Sequence, residues 1–191
     1  LTLSGALMIT ANATTSAAPT SSIIGAAGVA QFGSSDIKTV IDSDTTAAIG
    51  DGGTITADSV TLLADATHTA EANLSSVGGS LVVSISDLEG IVEDTGTVNV
   101  RIGDEAGGDA GIGTTITTTD GGIDADAKLT SNVRSESSAA NFSLVAAGLV
   151  TTRATNTSQV TGRIGDNVDI EVQAGDFDML IDLIGDARGI A

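Results

Sequence analysis

A repeat of more than fifty residues is the feature that most constrains how this chain can fold. The segment ITANATTSA from Ile9 matches LLADATHTA from Leu62, and Ile49 and Ile102 open two Ile-Gly-Asp tripeptides at the same offset of 53 positions. A third copy follows at an offset of 62 to 63, which places Ile164 on Ile102. Similarity at a fixed offset is typical of chains built from one supersecondary unit that stacks on itself.

Alignment on these offsets divides the chain into three units and part of a fourth. The units span residues 7–51, 60–104 and 123–166, and the partial unit begins at residue 177. The spacers between the units differ in length, so insertions accumulate at one point of the unit, where repeat proteins carry loops. We expect residues 1–191 to be a single segment of a longer repetitive chain.

Within a unit the residues favour β-strands over helices. Ser59–Ala66, Ser80–Ser86 and Gly96–Ile102 are short apolar or alternating runs bounded by turn-forming residues. Aromatic residues make up only 2% of the chain, and the small and β-branched side chains suit thin stacked layers. The sequence therefore predicts an all-β fold, a β-solenoid (β-helix) of short strands. Division of the 53-residue offset by three predicts coils of roughly 18 residues, about ten coils in all, and a rod of roughly 50 Å.

The Ile-Gly-Asp tripeptide is interpreted as a corner of the repeated unit. Isoleucine would point inward, glycine would adopt the backbone conformation that a corner needs, and aspartate would bond the turn backbone or face water. The alternative is a ladder of aspartates that binds a cation or a receptor. The predicted corner residues are Gly50, Asp51, Gly103, Asp104, Gly165, Asp166, Gly185 and Asp186.

The repeat texture also resembles that of a known class of proteins. Units that combine TITADSVTLLADA, SVGGSLVVSIS and TVNVRIGD are similar to the repeats of very large bacterial surface proteins of the filamentous-haemagglutinin and autotransporter-adhesin type. The resemblance covers nearly the whole chain. It implies a secreted, non-enzymatic stalk, fibre or filament, outside the cell or on its surface, that serves adhesion or matrix assembly. Since a solenoid ends in open strand edges, the first expected partner is another copy of the chain.

Charge and composition exclude several other classes. The chain has 25 acidic and 7 basic residues and a net charge of -18, whereas binding to nucleic acid requires clustered lysine and arginine. There is no cysteine, which excludes disulfides and thiolate metal sites. Residues 1–35 carry no charge but are too polar for a transmembrane helix, and the uncharged run 137–152 is too short. We expect no transmembrane segment.

Calcium is the one cofactor that the acidic residues suggest, although the predicted stalk requires none. Hard cations need several oxygen ligands, and carboxylates are concentrated near predicted turns. The candidate metal ligands are Asp42, Asp44, Asp104, Glu105, Asp109, Asp176 and Asp178.

A glycan- or receptor-binding module is the main alternative function. It would use the acidic and threonine-rich insertion at residues 105–122. The threonine-rich part of this insertion is either a flat array that could match a crystalline surface such as ice, or an ordinary β-forming run that faces water.

An enzyme that acts on polysaccharides is a further alternative on the same scaffold. Asp124, Asp126 and Lys128 would lie on one face of a strand by alternation. His68 is the only histidine, so any serine-histidine-aspartate site would include it. Its aligned residues are Thr15 and Ser131, which indicates an ordinary polar position of the repeat.

Overall fold

The computed structural model describes residues 1–104 and 113–191, and every regular element in these ranges is a β-strand. The first unit and its spacer contain β1 (Leu7–Ala17), β2 (Thr20–Ala27), β3 (Ala30–Ile41), β4 (Asp44–Ile49) and β5 (Thr54–Ala57). The second unit and its spacer contain β6 (Val60–Ser80), β7 (Val83–Asp94), β8 (Thr97–Ile102) and β9 (Thr114–Thr118). The third unit and its spacer contain β10 (Ile123–Phe142), β11 (Val145–Asn156), β12 (Gln159–Ile164) and β13 (Val168–Val172). The strand β14 (Phe177–Ile190) begins a fourth unit. The predicted all-β class is confirmed.

The strands pair in parallel with their counterparts in the next unit. The long sheet has the order β1-β6-β10-β14, with β2 also paired to β6, and the three-stranded sheets are β3-β7-β11, β4-β8-β12 and β5-β9-β13. Leu7 pairs with Val60, Val60 with Ile123, and Ile123 with Phe177. The offsets in the sequence are therefore the offsets between hydrogen-bonded neighbours, as expected of stacked parallel sheets, an arrangement compatible with a β-solenoid.

The predicted ten coils of about 18 residues are wrong. Among the described residues no strand pairs with another strand of its own unit, so one unit with its spacer makes one layer. The described chain forms three such layers and, in β14, the first side of a fourth. The division by three failed because the strands are not short: β6 has 21 residues and β10 has 20. At about 3.3 Å per residue, β6 alone is roughly 70 Å long, so one layer encloses a wide, flat section.

The spacers, which were expected to carry loops or extra turns, contain the fourth side of each layer. The strands β5, β9 and β13 lie in the three spacers and form their own sheet. In β9, Thr114 and Thr118 are buried together with Ile116. The threonine run is thus a core strand and not a flat exposed array. Residues 105–112, the rest of that insertion, lie outside the described residues.

The first three Ile-Gly-Asp tripeptides lie at one corner, where β4, β8 and β12 end. Ile49 and Ile102 are 6% and 0% exposed, which confirms that they point inward. Ile164 is 45% exposed because no strand of a further layer covers β12. A Cβ at Gly165 would lie 2.5 Å from the backbone nitrogen of Asp104, so the stacking of this corner requires glycine there.

Glycine does not have the same role in each tripeptide. Of the three corner glycines only Gly103 has a positive φ, of 86°. At the other two corners the left-handed residue comes later, at Gly52 and Asn167, just after the tripeptide. The fourth tripeptide is not a corner. Gly185 and Asp186 lie inside β14, where they pair with Ser131 and Asn132, so their prediction as corner residues is wrong.

The chain reverses sharply at residues 28–29, 81–82 and 143–144, which connect the long sheet to β3, β7 and β11. The second of these reversals falls inside Ser80–Ser86, a segment predicted to be one strand. We call the three stacked reversals and the strand ends that flank them the tip. We call the opposite part, which is enclosed by the start of the long sheet and the sheets of β8 and β9, the core end.

Buried and exposed residues alternate along most strands, and the buried side chains fill the interior. At the core end the inward side chains form one apolar cluster around Leu62, Val100, Ile116 and Leu129, each 1% exposed or less. A second, smaller cluster lies between the long sheet and β7, around Leu74, Leu88, Val92 and Val133.

Candidate functional site

The predicted metal ligands are dispersed over several corners. Asp42 and Asp44 flank the turn between β3 and β4, Asp104 follows β8, and Asp176 and Asp178 surround the start of β14. Glu105 and Asp109 lie outside the described residues. Over residues 1–104 and 113–191 there is no group of three or more histidine, cysteine, aspartate or glutamate side chains that could hold a metal ion.

The acidic residues of β10 form the nearest approach to a charged cluster. Asp124, Asp126 and Lys128 lie on the outward side of the strand, which confirms their predicted common face. Asp124 pairs in register with Asp178 of β14. Partial burial, followed by the charges of Asp124 and Asp178, raises the pKa of Asp126. The three carboxylates repel one another. On the described strands the same face offers no nearby aromatic ring on which a sugar could stack, so the cluster lacks a usual feature of a carbohydrate site.

A buried polar network occupies the boundary between the two apolar clusters. His68 of β6, Asp94 at the end of β7 and Ser131 of β10 are 1%, 0% and 2% exposed. The Nδ1 of His68 lies 3.1 Å from each carboxylate oxygen of Asp94, to which its N–H donates. The Ser131 hydroxyl donates to the same carboxylate, and so does the backbone N–H of Gly96, at 3.0 Å.

These three side chains come from two layers and two sides of the fold. His68 and Ser131 are register partners in the long sheet, one above the other, and Thr15 is the partner of His68 in the layer below. Asp94 reaches them from the corner after β7. A Cβ at Gly96 would lie 2.3 Å from Cε1 of His68, so the imidazole packs directly on the glycine backbone of this corner.

The geometry of this network does not suit nucleophilic catalysis. In a serine-histidine-aspartate triad the hydroxyl bonds the second ring nitrogen of the histidine, whereas here Ser131 bonds Asp94. The side chains of His68 and Asp94 are both 0% exposed, so substrate has no access. The Nε2 of His68 has no hydrogen-bond partner within the part of the chain that the structure describes. The alignment indicated an ordinary polar position of the repeat, and the structure places this polar position in the interior.

The hydrogen bonds of this network instead connect the long sheet to the corner after β7. They also connect the layer of His68 and Asp94 to the layer of Ser131. Asp94 was missed by sequence reasoning because its register partners, Ile41 and Asn156, do not share its charge. Asp94 and its register partner Asn156 nevertheless both form an Asx-type turn. Asn156 accepts a hydrogen bond from the N–H of Ser158 at 3.1 Å, as Asp94 does from that of Gly96. The polarity of Thr15, His68 and Ser131 in three successive units was the other available clue.

A polar groove crosses the long sheet where Pro19 separates β1 from β2. Its volume is about 420 Å³, and it is lined by hydroxyl, amide and carboxylate groups of β2, β6 and β10, among them Thr20, Ser22, Asn73 and Glu136. Such groups can bond sugar hydroxyls, but no described aromatic side chain lines the groove.

Comparison with protein-family models, with curated proteins and with solved structures finds no match to this chain. In the described ranges no helix is long and apolar enough to cross a bilayer.

Proposed function

We propose that the stacked layers form a β-solenoid and that the protein is a non-enzymatic, extracellular structural element, a stiff stalk or filament of a cell surface or matrix. The observation that carries the proposal is the unbroken register of four parallel sheets across successive units. Each layer stacks on its neighbours through the same parallel pairing, so stiffness and length grow by repetition of one unit. The resemblance to large bacterial adhesins supports the extracellular setting.

The open ends of the stack support assembly with further copies. The long sheet ends in β14 at one side and in β1 and β2 at the other, and each of these strands has a sheet neighbour on one side only. Unpaired parallel edges are templates for another strand. Ile181 and Leu183, which face the interior from β14, remain 42% and 48% exposed. A further unit of a longer chain, or a second copy stacked end to end, would cover them.

The acidic surface determines how copies can meet. With a net charge of -18, sideways contact between two rods brings like charges together, whereas end contact adds backbone hydrogen bonds and buries apolar side chains. End-to-end growth is therefore favoured over lateral clumping at low ionic strength, and salt or divalent ions would reduce the difference.

The test is electron microscopy and X-ray fibre diffraction of the purified chain at rising concentration. We expect rods longer than one chain, with a spacing near 4.8 Å along their axis. The double variant Ile181→Asp/Leu183→Asp should remain monomeric, whereas Val40→Asp, on the outward side of β3, should still assemble. A wild-type chain that stays monomeric at high concentration, or rods without that spacing, would contradict the proposal.

A glycan-binding module is the second candidate, and the polar groove at Pro19 is the observation that favours it. Titration with neutral and acidic oligosaccharides, monitored by NMR, should perturb Asn73 and Ser75 in the groove if this candidate is correct. Replacement of residues 105–112 by a short glycine-serine linker tests the other proposed contact region, the insertion. Binding that survives both this replacement and Asn73→Ala would rule out both proposed contact regions, and absence of binding by the wild type would contradict the glycan hypothesis.

A further inference from the structure

Three uncharged parts of the sequence meet at the tip. Residues 20–35, 72–86 and 137–152 contain no Asp, Glu, Lys, Arg or His, although 25 acidic and 7 basic residues are spread over the rest of the chain. The pairing of β2 with β6, β6 with β10, and β3 with β7 and β11 stacks these segments directly on one another. A molecule of high negative charge thus has one continuous uncharged end.

Large apolar side chains project from this end into solvent. Each reversal exposes at least one: Val29 is 69% exposed, Leu81 73% and Leu144 86%. Two of the three phenylalanines of the chain, Phe32 and Phe142, stand beside the reversals and are 71% and 69% exposed. Apolar surface that is gathered in one patch marks an interaction site, whereas scattered exposed residues do not.

The interior of the tip is lined largely by polar side chains, unlike the two apolar clusters. The hydroxyl of Ser86 donates to Oδ1 of Asn141 at 2.9 Å and lies 3.1 Å from the hydroxyl of Ser76. The hydroxyl of Ser84 donates to the same Asn141 oxygen at 3.1 Å, and Gln31 accepts a hydrogen bond from the backbone of Gly79 at 2.6 Å. Polar side chains inside and apolar side chains outside are the arrangement of protein surfaces that face hydrocarbon.

Several backbone groups of the reversals are hydrogen-bonded within the protein. The N–H of Val83 donates to the carbonyl of Val29 at 3.1 Å, and that of Val145 donates to the carbonyl of Val82 at 2.9 Å. The hydroxyl of Ser143 donates to the carbonyl of Val145 at 2.5 Å. Entry into an apolar medium is costly chiefly when backbone groups lose hydrogen bonds to water, and these bonds between layers reduce that cost.

We propose that the tip inserts into the surface of a zwitterionic lipid bilayer. Its end is about 15 Å by 10 Å, from three layers and two sheets, which is too small for a stable flat interface of about 800 Å² per partner. A lipid bilayer is fluid and can surround an end of this size. The nearest charge on β7 is Asp87, roughly 15 Å along the strand from the reversal, which leaves room for the usual insertion depth of about 5 to 10 Å.

The charge distribution selects the lipid. The tip has no lysine or arginine that could attract anionic headgroups, and the acidic body would be repelled by them. Neutral headgroups over an apolar interior are the chemistry that matches. The proposal does not depend on assembly into filaments, because a single copy carries the whole tip.

Flotation with phosphatidylcholine vesicles tests the proposal. The wild-type chain should float with the vesicles, and addition of an anionic lipid should weaken binding several-fold at low salt. Leu81→Asp/Leu144→Asp should lower the partition coefficient at least a hundredfold, because each buried leucine is worth tenfold or more. The control Met8→Asp, which changes an apolar side chain that is 71% exposed on β1, should bind like the wild type.

A second measurement covers the case in which the double aspartate variant does not fold. The chain has no cysteine, so Leu144→Cys or Met8→Cys accepts a single polarity-sensitive fluorophore. Vesicles should shift the emission of the label at position 144 to shorter wavelength and leave that at position 8 unchanged. Absence of flotation by the wild type, equal shifts at both positions, or binding only to anionic vesicles would overturn the proposal. A dimer that the Leu81 and Leu144 changes abolish, without any vesicle binding, would assign the tip to a second copy instead.

Discussion

The core end and the tip are built on the same parallel backbone ladders but place their side chains in opposite senses. At the core end Leu62 and Leu129 face inward and are 0% exposed, whereas at the tip Leu81 and Leu144 face solvent and are 73% and 86% exposed. The interior of the tip is instead occupied by hydrogen-bonded serine and asparagine side chains. The two ends therefore share the register that stacks their strands. They differ in which side chains face the interior and which face solvent.

The network of His68, Asp94 and Ser131 lies in the interior between the two apolar clusters, on the path from the core end to the tip. A buried carboxylate is tolerated there because three donors surround it. The following predictions test the contrast between the two ends, in order of decreasing effect.

Removal of the central carboxylate should have the largest effect. Asp94→Ala leaves the donors of His68, Ser131 and Gly96 buried without their acceptor, and we expect a loss of about 3 to 5 kcal/mol in the free energy of unfolding. Chemical denaturation measures it. Asp87→Ala, at an exposed position of the same strand, is the control and should cost less than about 0.5 kcal/mol. Equal losses would show that the network does not stabilise the boundary.

The same truncation should give different results at the two ends. Leu62→Ala should cost about 2 to 5 kcal/mol because it opens a cavity in the apolar cluster of the core end. Leu81→Ala should change stability by less than about 0.5 kcal/mol, since its side chain is already in water. Thermal and urea unfolding of both variants provide the comparison, and a large loss for Leu81→Ala would contradict the exposed tip.

The polar interior of the tip should make a smaller contribution. Ser86→Ala removes the hydrogen bonds to Asn141 and Ser76, and we expect a loss of about 0.5 to 1.5 kcal/mol. Hydrogen exchange should report this loss mainly in β7 and β11, near the reversals. The control is Ser138→Ala, on the outward side of β10, with no measurable effect expected.

The acidic face of β10 should give the smallest effect, and one that depends on pH. Since burial and the charges of Asp124 and Asp178 raise the pKa of Asp126, the folded state binds this proton more tightly than the unfolded state does. Stability from this group therefore falls as the pH rises from about 3.8, the unfolded value, through the raised folded value. Asp126→Asn should stabilise the protein at neutral pH by less than about 0.5 kcal/mol, and by nothing at low pH. Denaturation of both proteins at several pH values measures the difference; a loss of stability at neutral pH would contradict this sign.

Sequence reasoning found the β class and the offsets between paired strands because similar small and apolar residues recur at the register of the sheets. It misjudged the size of a layer, because a 21-residue strand with alternating burial resembles several short strands separated by Gly, Ser and Asn. It also assigned Leu81 and Val82 to a strand. Only the three-dimensional stack shows that Val29, Leu81 and Leu144 mark one reversal of the chain.

The candidate sites were harder to predict for a physical reason. Asp94 has no acidic partner above or below it, so no repeated pattern marks it. The predicted metal ligands were chosen by their nearness in sequence, but the corners that hold Asp42 and Asp176 belong to different sides and layers of the fold.

The most direct test of the account is the distance between equivalent residues of successive units. Nitroxide labels at Thr67→Cys and Thr130→Cys, which are outward register partners in β6 and β10, should be in neighbouring strands about 4.8 Å apart at the backbone. Continuous-wave electron paramagnetic resonance should then show strong dipolar broadening, and labels at Thr14→Cys and Thr130→Cys, two strands apart, should show weaker broadening. Labels at 67 and 130 that lie about 14 Å apart or more, the separation that three coils per repeat would give, would contradict one layer per repeat.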